Sequence, residues 1–76
     1  MQATDNDKAL QQRLGERLRL LRTQRRWSQE TLAELAYLHR NYIGHVERSD
    51  VNIGLKNIHR IATAFSMSLS EFLEGV

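Results

Sequence analysis

The sequence predicts an all-α fold, a compact domain of five helices spanning residues 7–76. Apolar residues recur at helical spacing along the chain, and no sustained apolar–polar alternation of the kind that marks a half-buried strand is present. Proline is absent, so no residue breaks the predicted helices. A chain of 76 residues has room for one domain only. Residues 1–6 are polar and are expected to form a disordered tail rather than a secretory signal.

The first helix is predicted over residues 7–25, where four leucines fall on one stripe. These are Leu10, Leu14, Leu18 and Leu21. Residues 1–26 carry seven basic and three acidic side chains, and six arginines lie within residues 13–26, although the net charge of the whole chain is only +2. This concentration of arginine favours a polyanionic partner such as nucleic acid. A solvated arginine-rich helix face is the alternative interpretation.

Two short helices with a tight break between them come next. Ser28 is a good N-cap for a helix over residues 29–36, and a break at residues 37–39 precedes a helix over residues 40–48. This spacing is that of a helix-turn-helix motif. In that motif the second helix stands away from the body of the domain and directs its N-terminal residues into the DNA major groove.

Apolar and small residues in this pair agree with that interpretation. Ala33 lies where the two helices must approach each other closely, while Ile43 and Val46 lie where the second helix must pack onto the domain. Trp27, at the end of the first helix, is expected to cover the core between the first two helices rather than to stack on nucleic-acid bases.

The last third of the chain predicts a loop and two more helices. The loop covers residues 49–54, and apolar residues at helical spacing predict a fourth helix over residues 55–65. Ser68 and Glu71 form an S-x-x-E capping box, which predicts a short fifth helix over residues 69–74.

The outer edge of the third helix carries the side chains expected to read bases. Arg40 can bind guanine in a bidentate manner, and Asn41 can bind adenine in the same way. Tyr42 and His45 extend this edge. We therefore predict double-stranded DNA as the partner, with an exposed polar face that binds nothing as the alternative.

From about residue 14 to residue 74 the chain resembles the phage-repressor-type helix-turn-helix family (Cro/cI-like, XRE). The resemblance is carried by LGERLRLLRTQRRWSQETLAELA, HRNYIGHVER, NIGLKNIHRIATAF and SLSEFL. Within that family the strings LHRNYIGHVER and NIGLKNI are most similar to controller proteins of restriction–modification systems. The resemblance implies a five-helix, lambda-repressor-like DNA-binding domain. It also implies a homodimer that binds a palindromic operator and regulates transcription of its own gene and a nuclease gene.

The resemblance also assigns roles to individual residues. Gln29, His39 and Asn52 are expected to contact DNA phosphates, and Arg40 and Asn41 to read bases, with Tyr42 and His45 at the edge of the footprint. Arg22 and Glu47 are expected to form an internal ion pair.

Three positions depart from the family pattern. Tyr37 occupies a turn that usually contains glycine; because positive φ is uncommon for other residues, the turn is expected to differ locally. Ser49 stands where a glycine commonly follows the Glu–Arg pair. Asp50 stands near a position that is often basic, so its carboxylate is expected to weaken contact with phosphate.

No catalytic, metal or cofactor site is predicted. The chain has no cysteine, and its three histidines (His39, His45 and His59) have no carboxylate that completes a zinc site. Glu30 and Glu34 have no nucleophile–base pair beside them and are interpreted as a solvated helix face. We expect a cytoplasmic protein with no enzymatic activity, no membrane segment and no small-molecule ligand.

The small size of the chain favours association, since a core of this size is marginally stable alone. Phe72, Leu73 and Val76 form an apolar end that either packs within the monomer or serves as a dimer interface. Two alternatives to a controller protein remain. One is a phage-type repressor or antitoxin-like autorepressor of the same fold, and the other is a protein-interaction adaptor that does not read bases.

Overall fold

The structure is a computed structural model that describes residues 5–76, and within them it contains five α-helices and no strand. The helices are α1 (Asp5–Gln24), α2 (Gln29–Ala36), α3 (Arg40–Glu47), α4 (Leu55–Ala64) and α5 (Leu69–Phe72). The prediction of an all-α fold is confirmed. Because α1 begins at Asp5, the last two residues of the predicted tail are helical, and the rest of that tail lies outside the described residues. The fifth helix ends at Phe72, two residues earlier than predicted.

All five helices contribute to one core, although Phe65 lies just after α4 rather than within it. The buried apolar side chains are Leu14, Leu18, Leu21, Leu32, Ala33, Ala36, Ile43, Val46, Ile61, Ala62, Phe65 and Phe72. Two leucines predicted on apolar faces are not part of this core. Leu10 is 47% exposed and Leu55 is 70% exposed.

A stack of aromatic rings closes the core beside the end of α1. The ring of Trp27 stacks on Phe65 with centroids 5.2 Å apart, and Phe65 in turn lies 6.2 Å from Phe72. The guanidinium of Arg25 lies 5.3 Å from the Trp27 centroid and 5.4 Å from that of Phe65, within cation–π range. The same guanidinium donates to the carbonyl of Phe65 at 3.0 Å. The prediction that Trp27 covers the core is confirmed.

Short polar side chains fix the starts of two helices as the sequence indicates. Ser28 Oγ accepts from the backbone N–H of Thr31 at 2.9 Å at the start of α2. At the start of α5, Ser68 Oγ accepts from the N–H of Glu71, and a Glu71 carboxylate oxygen accepts from the N–H of Ser68. These hydrogen bonds pair donors that a helix N-terminus otherwise leaves unpaired.

The ends of the helices rely on left-handed residues that are not glycine. One such residue follows each of α1 to α4, namely Arg26, Tyr37, Ser49 and Ser66, with φ between 57° and 64°. Tyr37 therefore adopts the left-handed backbone conformation that glycine usually supplies. The expectation that this turn differs locally from the family pattern is wrong as far as its backbone is concerned. Its ring projects outward and is 86% exposed.

A close approach between helices joins α1 to the end of α3 at Gly15. A Cβ atom on Gly15 would lie 2.7 Å from the carbonyl oxygen of Val46 and 2.8 Å from that of Glu47. Both neighbours are backbone atoms, so they cannot move aside as a flexible side chain would. Gly15 therefore sets the distance between α1 and α3, a role that the sequence pattern did not reveal.

We predict that Gly15→Ala destabilises the domain by about 1–3 kcal/mol or more, because the added methyl group must push the two helices apart. The measurement is the free energy of unfolding in urea. Gly54→Ser is the control, since no atom lies within 4 Å of that Cβ position and serine can cap α4. Equal stability of the Gly15→Ala variant and wild type would contradict the assigned role of Gly15.

Candidate nucleic-acid interface

One face of α3 borders a polar recess of about 540 Å³ against the start of α2. The residues of α3 and its C-cap that line the recess follow one helical stripe, and they are Arg40, Asn41, Gly44, His45 and Arg48. Arg22, Ser28, Gln29 and Glu30 line the opposite side. The opposite face of α3 buries Ile43 and Val46 in the core. The helix is therefore fixed by its apolar side and presents its polar side outward.

His39 directs the chain into α3. Its backbone is extended (φ −75°, ψ 141°), and its ring Nδ1 accepts from the backbone N–H of Asn41 at 3.0 Å. The ring is exposed and acts as the N-cap of the helix. This structural role is additional to the phosphate contact assigned to His39, which stays a prediction.

The two residues expected to read bases lie at the start of the exposed face. Arg40 and Asn41 are both exposed, and Arg40 Nη1 lies 3.8 Å from a carboxylate oxygen of Glu30. Both partners in that contact are more than 60% exposed, so it contributes about 0–1 kcal/mol. A guanine could therefore displace Glu30 from Arg40 at little cost.

Tyr42 lies at the edge of this face rather than in the recess. It is half-buried, and its hydroxyl accepts from the side-chain amide of Asn57 at 3.2 Å, which ties α3 to α4. Any base or phosphate contact by Tyr42 would therefore involve the rim of the footprint, and it stays a prediction.

His45, Arg48 and Asp50 form a cluster of half-exposed side chains at the far end of α3. His45 Nδ1 lies 2.8 Å from one carboxylate oxygen of Asp50, and Arg48 Nε lies 3.5 Å from the other. Arg48 Nη2 lies 3.2 Å from the same ring nitrogen of His45. Arg48 is a candidate contact that the sequence analysis missed; its position eight residues after Arg40, on the same helical stripe, is the signal that could have found it.

A buried carboxylate lies directly behind the exposed face. The side chain of Glu47 is fully buried, and the guanidinium of Arg22 donates to its two oxygens at 2.6 Å and 3.0 Å. The ion pair expected between Arg22 and Glu47 is therefore present. Gln29 and Arg19 also donate to Glu47, at 3.2 Å and 3.3 Å, so that this one carboxylate joins α1, α2 and α3.

The surroundings of Glu47 act on its pKa in opposite directions. Burial alone would raise the pKa of Glu47. The hydrogen bonds from Arg22, Gln29 and Arg19, together with the charge of Arg22, lower it by a larger amount. The net pKa of Glu47 lies below its ordinary value of 4.5. The hydrogen bond to Glu47 likewise raises the pKa of Arg22. Both groups are therefore charged in the folded protein at neutral pH.

Gln29 has a different main role from the one expected. Its side-chain amide is turned into the protein toward Glu47, and its Oε1 lies 3.5 Å from the position that a Cβ on Gly44 would occupy. Gln29 therefore supports the position of α3 from within α2. A phosphate contact by its remaining N–H stays a prediction.

Four of the six arginines within residues 13–26 bind groups within the protein. Arg19 and Arg22 bind Glu47, Arg25 binds the carbonyl of Phe65, and Arg17 donates to the carbonyls of Phe72 and Glu71 at 2.9 Å and 2.8 Å. The carbonyls of Glu71 and Phe72 belong to the last turn of α5, and that of Glu71 also accepts from the backbone N–H of Glu74 at 3.3 Å. The basic run therefore stabilises the fold itself. The interpretations of this run given by the sequence were a polyanionic partner or a solvated helix face, and neither describes this role.

The remaining predicted residues lie on another side of the domain. Phe72 is only 1% exposed, so its side chain belongs to the monomer core and cannot form a dimer contact directly. Leu73 and Val76 are half-buried and line an apolar groove of about 300 Å³ together with Leu10, Leu14, Ile53 and Ile58. Asn52 is exposed at the edge of the same groove, away from the recess, and its phosphate contact stays a prediction.

Metal centres and membrane spans are both absent from the described part of the chain. Among residues 5–76, no three His, Cys, Asp or Glu side chains come together in a way that could hold a metal ion. No helix in that range has the length and apolar character needed to cross a membrane.

Comparison with known proteins agrees with this geometry. The family model described as helix-turn-helix, HTH_3, matches residues 18–72. The control protein C.SmaI of Serratia marcescens is 42% identical over 60 residues, which are 79% of this chain and 71% of that protein. A hypothetical transcription factor of Neisseria meningitidis is 40% identical over 60 residues, and the match spans 79% of this chain but only 57% of that protein.

A solved structure gives the same result in three dimensions. The restriction–modification controller protein C.AhdI of Aeromonas hydrophila superposes with a TM-score of 0.81 at 47% identity. The superposition covers 84% of this chain and 97% of that one. The fold and the order of the helices are therefore shared with a controller protein over nearly its whole length.

We predict that Glu47→Ala destabilises the domain by about 3–5 kcal/mol at pH 7, since it leaves the charge of Arg22 partly buried without its partner. The measurement is urea unfolding of the variant, with Glu34→Ala as the control on an exposed position of α2. Because the folded-state pKa of Glu47 is lowered, its contribution is complete above about pH 4.5 and is lost as the pH falls through the folded value. The cost of the substitution should therefore shrink in acid, and a cost that does not depend on pH would contradict the ionised pair.

Proposed function

Because this chain belongs to the helix-turn-helix family HTH_3 and is a DNA-binding transcriptional regulator, we propose that it acts as a controller protein of a restriction–modification system. It binds a palindromic operator as a homodimer. It acts in the cytoplasm by binding alone, without catalysis or a cofactor. The observation that carries the proposal is the exposed face of α3, where Arg40, Asn41, His45 and Arg48 lie on one stripe.

The dimensions of α3 suit the DNA major groove. An α-helix with its side chains is about 10–12 Å in diameter, and the major groove is about 12 Å wide, so that α3 can lie in it. Arg40 and Asn41 at its N-terminal end meet base edges first. The start of α2 lies at the rim of the recess, where free backbone N–H groups and the helix dipole favour phosphate.

A second copy of the chain provides the symmetry that a palindromic operator requires. The apolar groove leaves Leu10, Ile53, Ile58, Leu73 and Val76 incompletely buried, and a domain of this size gains stability by covering them. The groove does not overlap the recess beside α3, so dimerisation leaves both DNA-reading faces free. Two such faces related by a two-fold axis bind half-sites about one helical turn apart.

A phage-type repressor or an antitoxin-like autorepressor would use the same geometry. The likeness to C.SmaI and C.AhdI favours the controller protein over these two. The polar stripe on α3 favours a DNA-reading role over an adaptor that keeps the fold without reading bases.

We predict that Arg40→Ala weakens binding to a selected operator by about 1–3 kcal/mol and relaxes the preference at one base pair, because a bidentate contact to guanine is lost. Binding to scrambled DNA should change only a few-fold. The measurement is titration of both duplexes with wild type and variant. Arg13→Ala is the control, because it removes one exposed arginine from α1 outside the recess.

Two outcomes would contradict this assignment. An equal loss of affinity for operator and scrambled DNA would make Arg40 a phosphate contact. Failure of the wild-type protein to enrich any sequence from a random duplex pool would favour the adaptor.

We predict that the protein sediments at micromolar concentration with about twice the 8.9 kDa mass of the chain. Leu10→Glu should shift it toward the monomer, because a carboxylate would be placed in the apolar groove. Leu35→Glu is a matched control, since Leu10 and Leu35 are both 47% exposed and only Leu10 lines the groove. Dimers of equal strength in both variants would show that the interface lies elsewhere.

A further inference from the structure

We propose that Asp50 is a positioning residue that decides which kind of base His45 selects. Its carboxylate holds the His45 ring with the hydrogen on Nδ1, so that Nε2 offers a lone pair to the major groove. His45 then selects a base that carries an amino group there, adenine or cytosine. This inference rests on the proposed DNA-reading function of α3.

The hydrogen-bond partners of His45 assign its tautomer. Asp50 Oδ1 lies 2.8 Å from Nδ1, and an ionised carboxylate only accepts hydrogen bonds. Two acceptors at that distance would repel each other, so Nδ1 carries the hydrogen and donates it to Asp50. In a neutral imidazole the other nitrogen, Nε2, is then an acceptor.

Arg48 favours the opposite tautomer. Its Nη2 lies 3.2 Å from the same His45 Nδ1, and a guanidinium only donates. With Asp50 in place, the second carboxylate oxygen lies 3.5 Å from Arg48 Nε and offers that guanidinium an acceptor of its own. Without Asp50, Arg48 would donate to an unprotonated Nδ1, and the hydrogen of His45 would move to Nε2.

The backbone holds Asp50 in the position that this role needs. Ser49 adopts a left-handed conformation with φ 64°, which turns the chain back after the end of α3. The N–H of Asp50 then donates to the carbonyl of His45 at 3.1 Å. Asp50 is thereby tied to the same residue by both its backbone and its side chain.

The two tautomers select different bases. In the major groove adenine and cytosine present amino donors, whereas guanine and thymine present carbonyl acceptors. A His45 that accepts at Nε2 therefore pairs with the amino group of adenine or cytosine, and one that donates at Nε2 pairs with the carbonyl oxygen of guanine or thymine or with N7 of either purine. The charge of Asp50, expected from the sequence only to weaken phosphate contact, acts here on His45 and Arg48.

The test measures base preference at every operator position. Wild type, His45→Ala, Asp50→Ala, Asp50→Asn and Arg48→Ala are titrated with duplexes that carry each of the four base pairs at each position of a site selected from a random pool. The buffer is held at pH 8, where imidazoles are ordinarily neutral. The position whose preference disappears in His45→Ala is the one that His45 reads.

At that position wild type should prefer an amino-bearing base by about 5- to 100-fold, the range given by one specific base contact. Asp50→Ala should reverse or abolish the preference. Asp50→Asn keeps an acceptor oxygen beside Nδ1 and should retain it, and Arg48→Ala should retain it as well. Preferences at the positions read by Arg40 should stay the same in all four variants.

Three outcomes would overturn the inference. If Asp50→Ala keeps the wild-type preference and changes all affinities equally, Asp50 acts through its charge alone. If His45→Ala leaves every preference intact, His45 reads no base, although the DNA-reading function of α3 stands. If wild type shows no preference at any position, the proposed function itself fails and this inference fails with it.

Discussion

The burial of one ionised carboxylate governs the arrangement of the first three helices. An unpaired charge in the interior is unfavourable, so Glu47 requires donors, and the structure supplies them from α1 and α2 at once. Those donors hold the end of α3 against α1 and α2, together with the packing of Ile43 and Val46. The exposed face of α3 is therefore positioned by a polar contact on its buried side. Gly15 permits the close approach of α1 to the end of α3.

Arginine has an unusual share in holding this small domain together. Arg17 binds carbonyl groups at the end of α5, which lie 54 and 55 residues away in the sequence. Arg25 binds the carbonyl of Phe65 at the end of α4, which lies 40 residues away. Arg17 lies on α1 and Arg25 directly after it, and their long side chains tie the ends of α5 and α4 to this part of the chain.

The features that depend on neighbouring residues could be predicted from the sequence. Helix positions, the Ser28 cap and the Ser68 capping box follow from local spacing, and the Arg22–Glu47 pair followed from family resemblance. The role of Gly15, the inward turn of Gln29 and the burial of Phe72 could not be predicted in this way. Each of them depends on which distant segments meet, and composition and periodicity carry no information about that.

The contact between Asp50 and His45 was only partly predictable from the sequence. The two residues are close in sequence, but their side chains meet because Ser49 reverses the chain. No rule of local propensity predicts a left-handed serine at that position. The departure of Ser49 from glycine was visible in the sequence, whereas its consequence for the neighbouring ring was not.

The separation of the apolar groove from the recess has a consequence for how operators diverge. In the proposed dimer, the residues along the groove would set the distance and angle between the two copies of α3, while the stripe on α3 would set which bases each copy accepts. Substitutions in the groove can therefore alter the spacing between half-sites without altering the sequence of either half. Substitutions on α3 can alter the sequence of each half-site without altering the spacing. The half-site spacing and the half-site sequence can therefore diverge independently among descendants of this gene.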